Sequence, residues 1–288
     1  MGIFTKKRTE PEKRAELERL LVAEFTARGI TGELVRDPDD PLNTQLRHGN
    51  GAFGFSNVMI LALPEPERLW KQIVRDHVHR MTSVQKKPDL RDSSTHDQLR
   101  ARIMAEDVRP MIPVEYAKPF AAGLIEMLCL DLPETVTTLN DSDLAGLDLE
   151  AVRATARRNL RREPLERTQV APGILLFGGP SFFVASQLLD PEFARLHLGA
   201  TPRGYVAAIP DRHSLFVHVI TGPESITAIG QLASFTSALD RDHRPGGFLS
   251  PHLYFLHDST RQQITDYGPD AQLTIVADGA FLDAINEG

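Results

Sequence analysis

The 288-residue chain holds a single cysteine, Cys129. One thiol excludes an intramolecular disulfide and any metal site built on several cysteines. No apolar run reaches the roughly 18 residues that a membrane-spanning helix needs. The opening MGIFTKKRTEPEKR places basic residues at the start but no apolar stretch behind them, so no secretory signal is expected. Lys6 departs from the myristoylation pattern. At Gly178-Gly179 no GxxxxGK[ST] or GxGxxG spacing appears, Ser181 lacks the GxSxG spacing of a nucleophile elbow, and the histidines show no HExxH spacing. What remains is an expectation of a cytoplasmic protein with no membrane contact and no cofactor.

The charge balance, 32 basic against 39 acidic residues for a net charge of −7, disfavours a dedicated nucleic-acid binder. Such affinity rests on phosphate neutralisation. The hydrophobic share of 41% and charged share of 25% are those of a globular protein with one or two domains.

Periodicity assigns an α/β (α+β) fold of mixed or antiparallel sheets packed by amphipathic helices, in two units. After a mobile tail (1–11), residues 12–81 read as helix, three strands, helix. Leu17, Leu20, Leu21 and Phe25 mark the first helix. GELVRD, NTQLRH and AFGFSNVMILAL are the strands, and Pro64 and Pro66 open a second helix through Leu69, Trp70, Ile73, Val74 and Met81. That outline is similar to small secretion-chaperone-like binding folds. Residues 82–107 are polar and irregular, with a short helix possible in HDQLRARI, and are expected to form a linker. The second unit, 108–270, runs through GLIEMLCLDL, TVTTL, a helix capped by Asp148, GILLFGG, a short helix opened by Pro180 or Ser181, and the block 203–259. That block reads as a hairpin turning at Pro210-Asp211-Arg212-His213, a helix from Pro223-Glu224, and the strand HLYFLH. The order strand, Pro-acidic turn, strand, helix occurs twice. Residues 271–288 form an extension with an edge strand and a short helix.

Several local signatures fall in 127–267. They are LDLPETVTTL; AVRATARRNLRREP with Asn159, Leu160, Arg161 and Pro164; SFFVASQLL with Ala185-Ser186; GYVAAIPDRHSL with Pro210; and ITAIGQLASF with Gly230-Gln231. In these the sequence resembles the YtpQ-like family of bacterial proteins, a domain of unknown function. The resemblance implies a bacterial cytoplasmic α/β protein and brings no activity with it.

Three groups of residues carry chemical potential. Arg153, Arg157, Arg158, Arg161 and Arg162 crowd one helix. They read either as solvated cations favoured by the helix C-terminus or as an anion-binding row, since guanidinium forks take phosphate and carboxylate in pairs. Asn159 lies between apolar positions and is expected to make a structural hydrogen bond. The loop DRDHRPGG offers Asp242, His243 and Arg244 as a contact surface. Ten histidines invite a metal site, but His77 and His79 are two apart and His252 and His257 differ in strand parity, so none is assigned. Ser181 reads as a cap and Cys129 as a buried small hydrophobe. A non-enzymatic module that binds another protein is the leading expectation. The alternatives are a hydrolase-like enzyme built from scattered His, Asp and Arg, and a nucleic-acid or nucleotide binder using the arginine helix.

Overall fold

The computed structural model describes residues 8–36, 44–49, 51–82, 88–133, 135–238, 248–268 and 273–286. The fold is α+β, and the chain divides into two units, whose described residues are 8–82 and 88–286. Among the described residues no helix is long and apolar enough to cross a membrane.

In the N-terminal unit, helix α1 (Glu10–Ala27) starts at Thr9, whose backbone N–H is bonded by Glu12 Oε2 at 2.7 Å. The tail expected through residue 11 is therefore shorter, because this capping contact winds Glu10 and Pro11 into the first turn. Strands β1 (Glu33–Arg36), β2 (Thr44–His48) and β3 (Gly51–Gly54) form an antiparallel sheet. The apolar run after Gly54 is not strand but helix α2 (Ser56–Ala62). Its Val58, Met59 and Ala62 share a helical face and bury against Leu17, Leu21 and Phe25 of α1 and Trp70, Val74 and Val78 of α3 (Glu67–Thr82).

The C-terminal unit begins earlier than the expected linker allows. Leu99–Ala105 is strand β4, paired along its whole length with β6 (Leu124–Asp131). Leu99, Ala101 and Ile103 are buried on one face, so LRARIMA follows a period of two and not the helical period. Strand β5 (Lys118–Ala121) pairs with the other edge of β6, and β7 (Val136–Thr138) pairs with its C-terminal end. Helices α4 (Asp141–Leu144) and α5 (Leu149–Asn159) follow. A second sheet orders β13-β12-β10-β11-β9-β8, every pair antiparallel. Its strands are β8 (Glu166–Ala171), β9 (Ile174–Gly178), β10 (Tyr205–Asp211), β11 (Ser214–Val219), β12 (Leu253–His257) and β13 (Thr260–Gln263). Between β9 and β10 lie a 3-10 turn over Ala185–Leu189 and helix α6 (Phe193–His197).

Strand β10 is buried on both faces. Tyr205, Ala207 and Ile209 join the core with β4, β6 and α5, while Val206 and Ala208 join the core under α7 (Ser225–Ala238) and α8 (Gly279–Asn286). A strand covered on both sides carries an unbroken apolar run, which is what YVAAIP is. The C-terminal extension is integral to this second core. Strand β15 (Leu273–Ile275) pairs with β14 (Thr265–Tyr267), and Phe281 is fully buried beside Phe255.

Candidate functional site

The arginine helix is solvated only in part: Arg153 is buried and Arg157 half-buried, while Arg158, Arg161 and Arg162 are exposed. Asp148 caps α5 by accepting the backbone N–H groups of Glu150 and Ala151, both at 3.1 Å. The cap sets a helical phase that turns Arg153 and Arg157 onto β6. There Glu126, 1% exposed, interrupts the apolar strand. Arg157 grips Glu126 with both prongs of its fork, Nε to Oε1 at 2.9 Å and Nη2 to Oε2. Arg153, also 1% exposed, places Nη1 3.3 Å from Oε1 and donates from Nη2 to Tyr116 O at 2.9 Å. Arg161 holds the buried Asp190 in the same bidentate way, at 2.7 and 2.8 Å. Arg162 meets Asp97 at 2.6 Å in an exposed pair, and Arg158 donates only to Thr155 Oγ1. Most of the row is exposed as expected, at Arg158, Arg161 and Arg162, but carboxylates inside the unit already engage the forks of Arg153, Arg157, Arg161 and Arg162. Asn159 does make the structural bonds expected of it, donating from Nδ2 to His96 O at 2.7 Å and Leu99 O at 3.0 Å. Asp242, His243 and Arg244 lie outside the described residues.

Ser181 and the histidines do not assemble a nucleophile. Ser181 Oγ donates to Glu163 Oε2 at 2.7 Å and accepts from Phe183 N at 3.0 Å, which is a turn-capping role. His213 Nδ1 meets the carbonyl of Ser181 at 3.0 Å, not its hydroxyl. Cys129 is buried, and burial pushes its thiol up to about 12. His257 stands 3.9 Å from Asp258 at the surface, and His218 Nδ1 bonds Gly173 O at 2.8 Å. Among the described residues no group of three or more His, Cys, Asp or Glu side chains gathers in a way that could hold a metal ion.

A different cluster forms where the β10–β11 turn meets the segment after β9. Asp211 Oδ1 accepts the backbone N–H of His213 at 2.8 Å, fixing the turn. Ala185 N donates to Arg212 O at 3.2 Å, and Ser186 Oγ accepts Ile103 N on β4 at 3.0 Å. These bonds draw three separate segments together. Arg212 Nε donates to His213 Nε2 at 2.9 Å, so that nitrogen carries no proton and Nδ1–H donates to Ser181 O. Burial, followed by the Arg212 charge, holds His213 below its ordinary pKa. The Arg212 guanidinium lies 4.3 Å from the Phe182 ring centroid, and the His213 ring lies 5.4 Å from it. Phe182 is 39% exposed.

Arg102 of β4 completes the cluster. Among the described residues it has neither a hydrogen-bond nor an ion-pair partner, and its Nε is buried. Burial lowers its pKa, and its charge in turn lowers those of Arg212 and His213. Arg212 falls to about 10, with desolvation the larger cause and Arg102 the next. Asp211 is the carboxylate that opposes this, raising both pKa values. The arrangement is two desolvated cations, one of them, Arg212, against an exposed aromatic ring, with donors free to take an anionic group. Arg102 was hidden in the stretch read as a linker, and Arg212 in a turn read only as a turn. The signal that could have found Arg102 is the alternation of Arg100 and Arg102 with Leu99, Ala101 and Ile103.

No family model, no curated protein and no solved structure matches the chain.

Proposed function

We propose that the chain is a non-enzymatic binding protein whose C-terminal unit receives a carboxylate from an acidic segment of another protein between Arg102 and Arg212. The reading rests on two guanidiniums that share a partly desolvated site, with no carboxylate ion-paired to either among the described residues. An uncompensated charge taken out of water costs several kcal/mol, and a ligand oxyanion removes that cost. Arginine beside a partly exposed aromatic ring is also the composition of interface hot spots. A protein partner is favoured over nucleic acid because Arg212 and His213 already lie against the Phe182 ring, where a base would stack. The net charge of −7 opposes long-range attraction of a polyphosphate. The hydrolase alternative draws no support from Ser181 or His213, whose bonds are structural. A cytoplasmic place of action and membership of the YtpQ-like family belong to the same proposal.

The test is fluorescence anisotropy with a labelled peptide rich in Asp, Glu and aromatic residues, and a labelled single-stranded oligonucleotide alongside. The peptide is expected to bind, with affinity falling about tenfold or more in Arg102→Gln and in Arg212→Gln, since each removes a charge-assisted hydrogen bond. Arg158→Gln, on the solvent side of α5, is expected to bind like the parent. Binding of the oligonucleotide alone, or peptide binding indifferent to both substitutions, overturns the reading.

A further inference from the structure

A second site shares no residue with the arginine pair. The start of β10, the end of β12, the start of β13 and helix α6 enclose a cavity of about 150 Å³. That is below the roughly 300–1,000 Å³ of pockets for drug-sized ligands, so any occupant is small. Gly204, at φ +76°, lets the chain enter β10 against β12, because a Cβ there would stand 2.5 Å from Leu256 O. Its N–H bonds Thr201 O at 2.9 Å, closing the turn that carries Thr201 to the rim.

The lining is rich in donors. Tyr205 is only 8% exposed, and its hydroxyl, without a hydrogen-bond partner among the described residues, is not one of the fully buried atoms, so it remains open to a ligand. Burial raises its pKa to about 12, so the hydroxyl keeps its proton and can donate. Arg261 uses Nη1 on the carbonyls of Asp258 and Thr260, both at 2.7 Å, and among the described residues Nε and Nη2 have no hydrogen-bond partner. Its pKa is lowered by burial first, with the Arg157 charge adding to the effect. Among the described residues no carboxylate at the site is ion-paired to it, although Asp258 opposes the lowering from a distance. Both oxygens of Asp190 are held by Arg161, and the Asp258 side chain is 91% exposed. His257 borders the same space.

We infer that this cavity is a binding site for a small oxyanion, a phosphate or carboxylate group received by Arg261 and the Tyr205 hydroxyl. The guanidinium supplies charge and a fork, and the phenol supplies a directed neutral donor.

Isothermal titration of the full chain with inorganic phosphate, and separately with acetate and succinate, tests this and distinguishes the two sources of the group. One of the anions is expected to bind with a Kd of about 1 mM or tighter. Tyr205→Phe, which removes only the hydroxyl from a packed ring, is expected to weaken that binding about tenfold, and Arg261→Gln to abolish it. The Arg102→Gln/Arg212→Gln double variant is expected to bind the anion like the parent, so this site stands or falls separately from the partner site. No binding by any of the three anions overturns the inference. Binding unchanged in Tyr205→Phe and Arg261→Gln, with thermal unfolding showing both folded, overturns it as well.

Discussion

Glu126 and Arg157 form a bidentate pair across the interface between strand β6 and helix α5, with the carboxylate buried and the guanidinium at its outer edge. Arg153 stands on the same carboxylate from the buried side. One anion thus anchors two cations, one of which has no route to water. Truncating one partner of a buried ionic group leaves the other charge unpaired, which costs about 3–5 kcal/mol. Glu126→Gln is expected to lose that much stability in urea unfolding. Arg157→Gln is expected to lose less, because Arg153 still faces Glu126. Equal, small losses of under about 1 kcal/mol for both would reject the anchoring role.

Asn159 ties the end of α5 to the residues that lead into β4 through two carbonyls, His96 O and Leu99 O. Asn159→Leu keeps the apolar volume but leaves two acceptors without their donor. A destabilisation of about 1–3 kcal/mol is expected for buried acceptors left unmade. Hydrogen exchange should show faster opening of β4 amides than of those in β10, since the lost bonds fasten only one end of the β4–α5 layer.

How far the sequence reveals these features depends on the range of the interaction. Helices α1, α3, α5 and α7 and the β10–β11 hairpin rest on local spacing, caps and turn residues, and all are readable from the chain. Strand β4 is hidden because Arg100 and Arg102 put charges on a face that the fold covers, and the polar run before it lends it the look of a linker. Helix α2 is hidden because a continuous apolar run of six residues, Val58 to Leu63, fits a strand as well as a buried helix. The fate of the arginine helix is not local at all. Glu126 lies 31 residues before Arg157, and Asp190 lies 29 after Arg161. Only the paired sheets decide that these carboxylates sit beneath the helix. A lone Glu inside LIEMLCLD was the one available hint, since a buried carboxylate demands a cation.

His77 offers a pH test within the N-terminal unit. Its Nε2 is buried without a partner among the described residues, and burial, with Arg80 adding to it, lowers its pKa to about 4. The folded state therefore holds a neutral ring, while the unfolded chain takes up the proton below about 6.5. Its contribution is fully present above pH 6.5 and is lost as pH falls towards 4. An NMR titration should give a His77 midpoint near 4. His77→Leu should remove about 1–3 kcal/mol of the acid-induced loss, measured as the difference from the parent across that window. A midpoint near 6.5 would show that the ring is open to water.

Cys129 reports on the second unit as a whole. It lies at the centre of β6, flanked in register by Arg100 on β4 and Thr138 on β7, and its Sγ is 3.4 Å from Arg100 O. A thiol pushed up to about 12 holds almost no thiolate at pH 8, and no reagent reaches it without separating β4 from β6. Its modification by a disulfide reagent such as DTNB is expected to be undetectable in the folded protein. In urea it should follow the opening equilibrium, because labelling then tracks the population of the open form. Asn159→Leu should raise the labelling rate in proportion to its destabilisation, by about tenfold for each 1.4 kcal/mol. Rapid native labelling would mean that β4 separates from β6 without global unfolding. The Arg102 guanidinium, carried on that same strand, would then not be held in place beside Arg212.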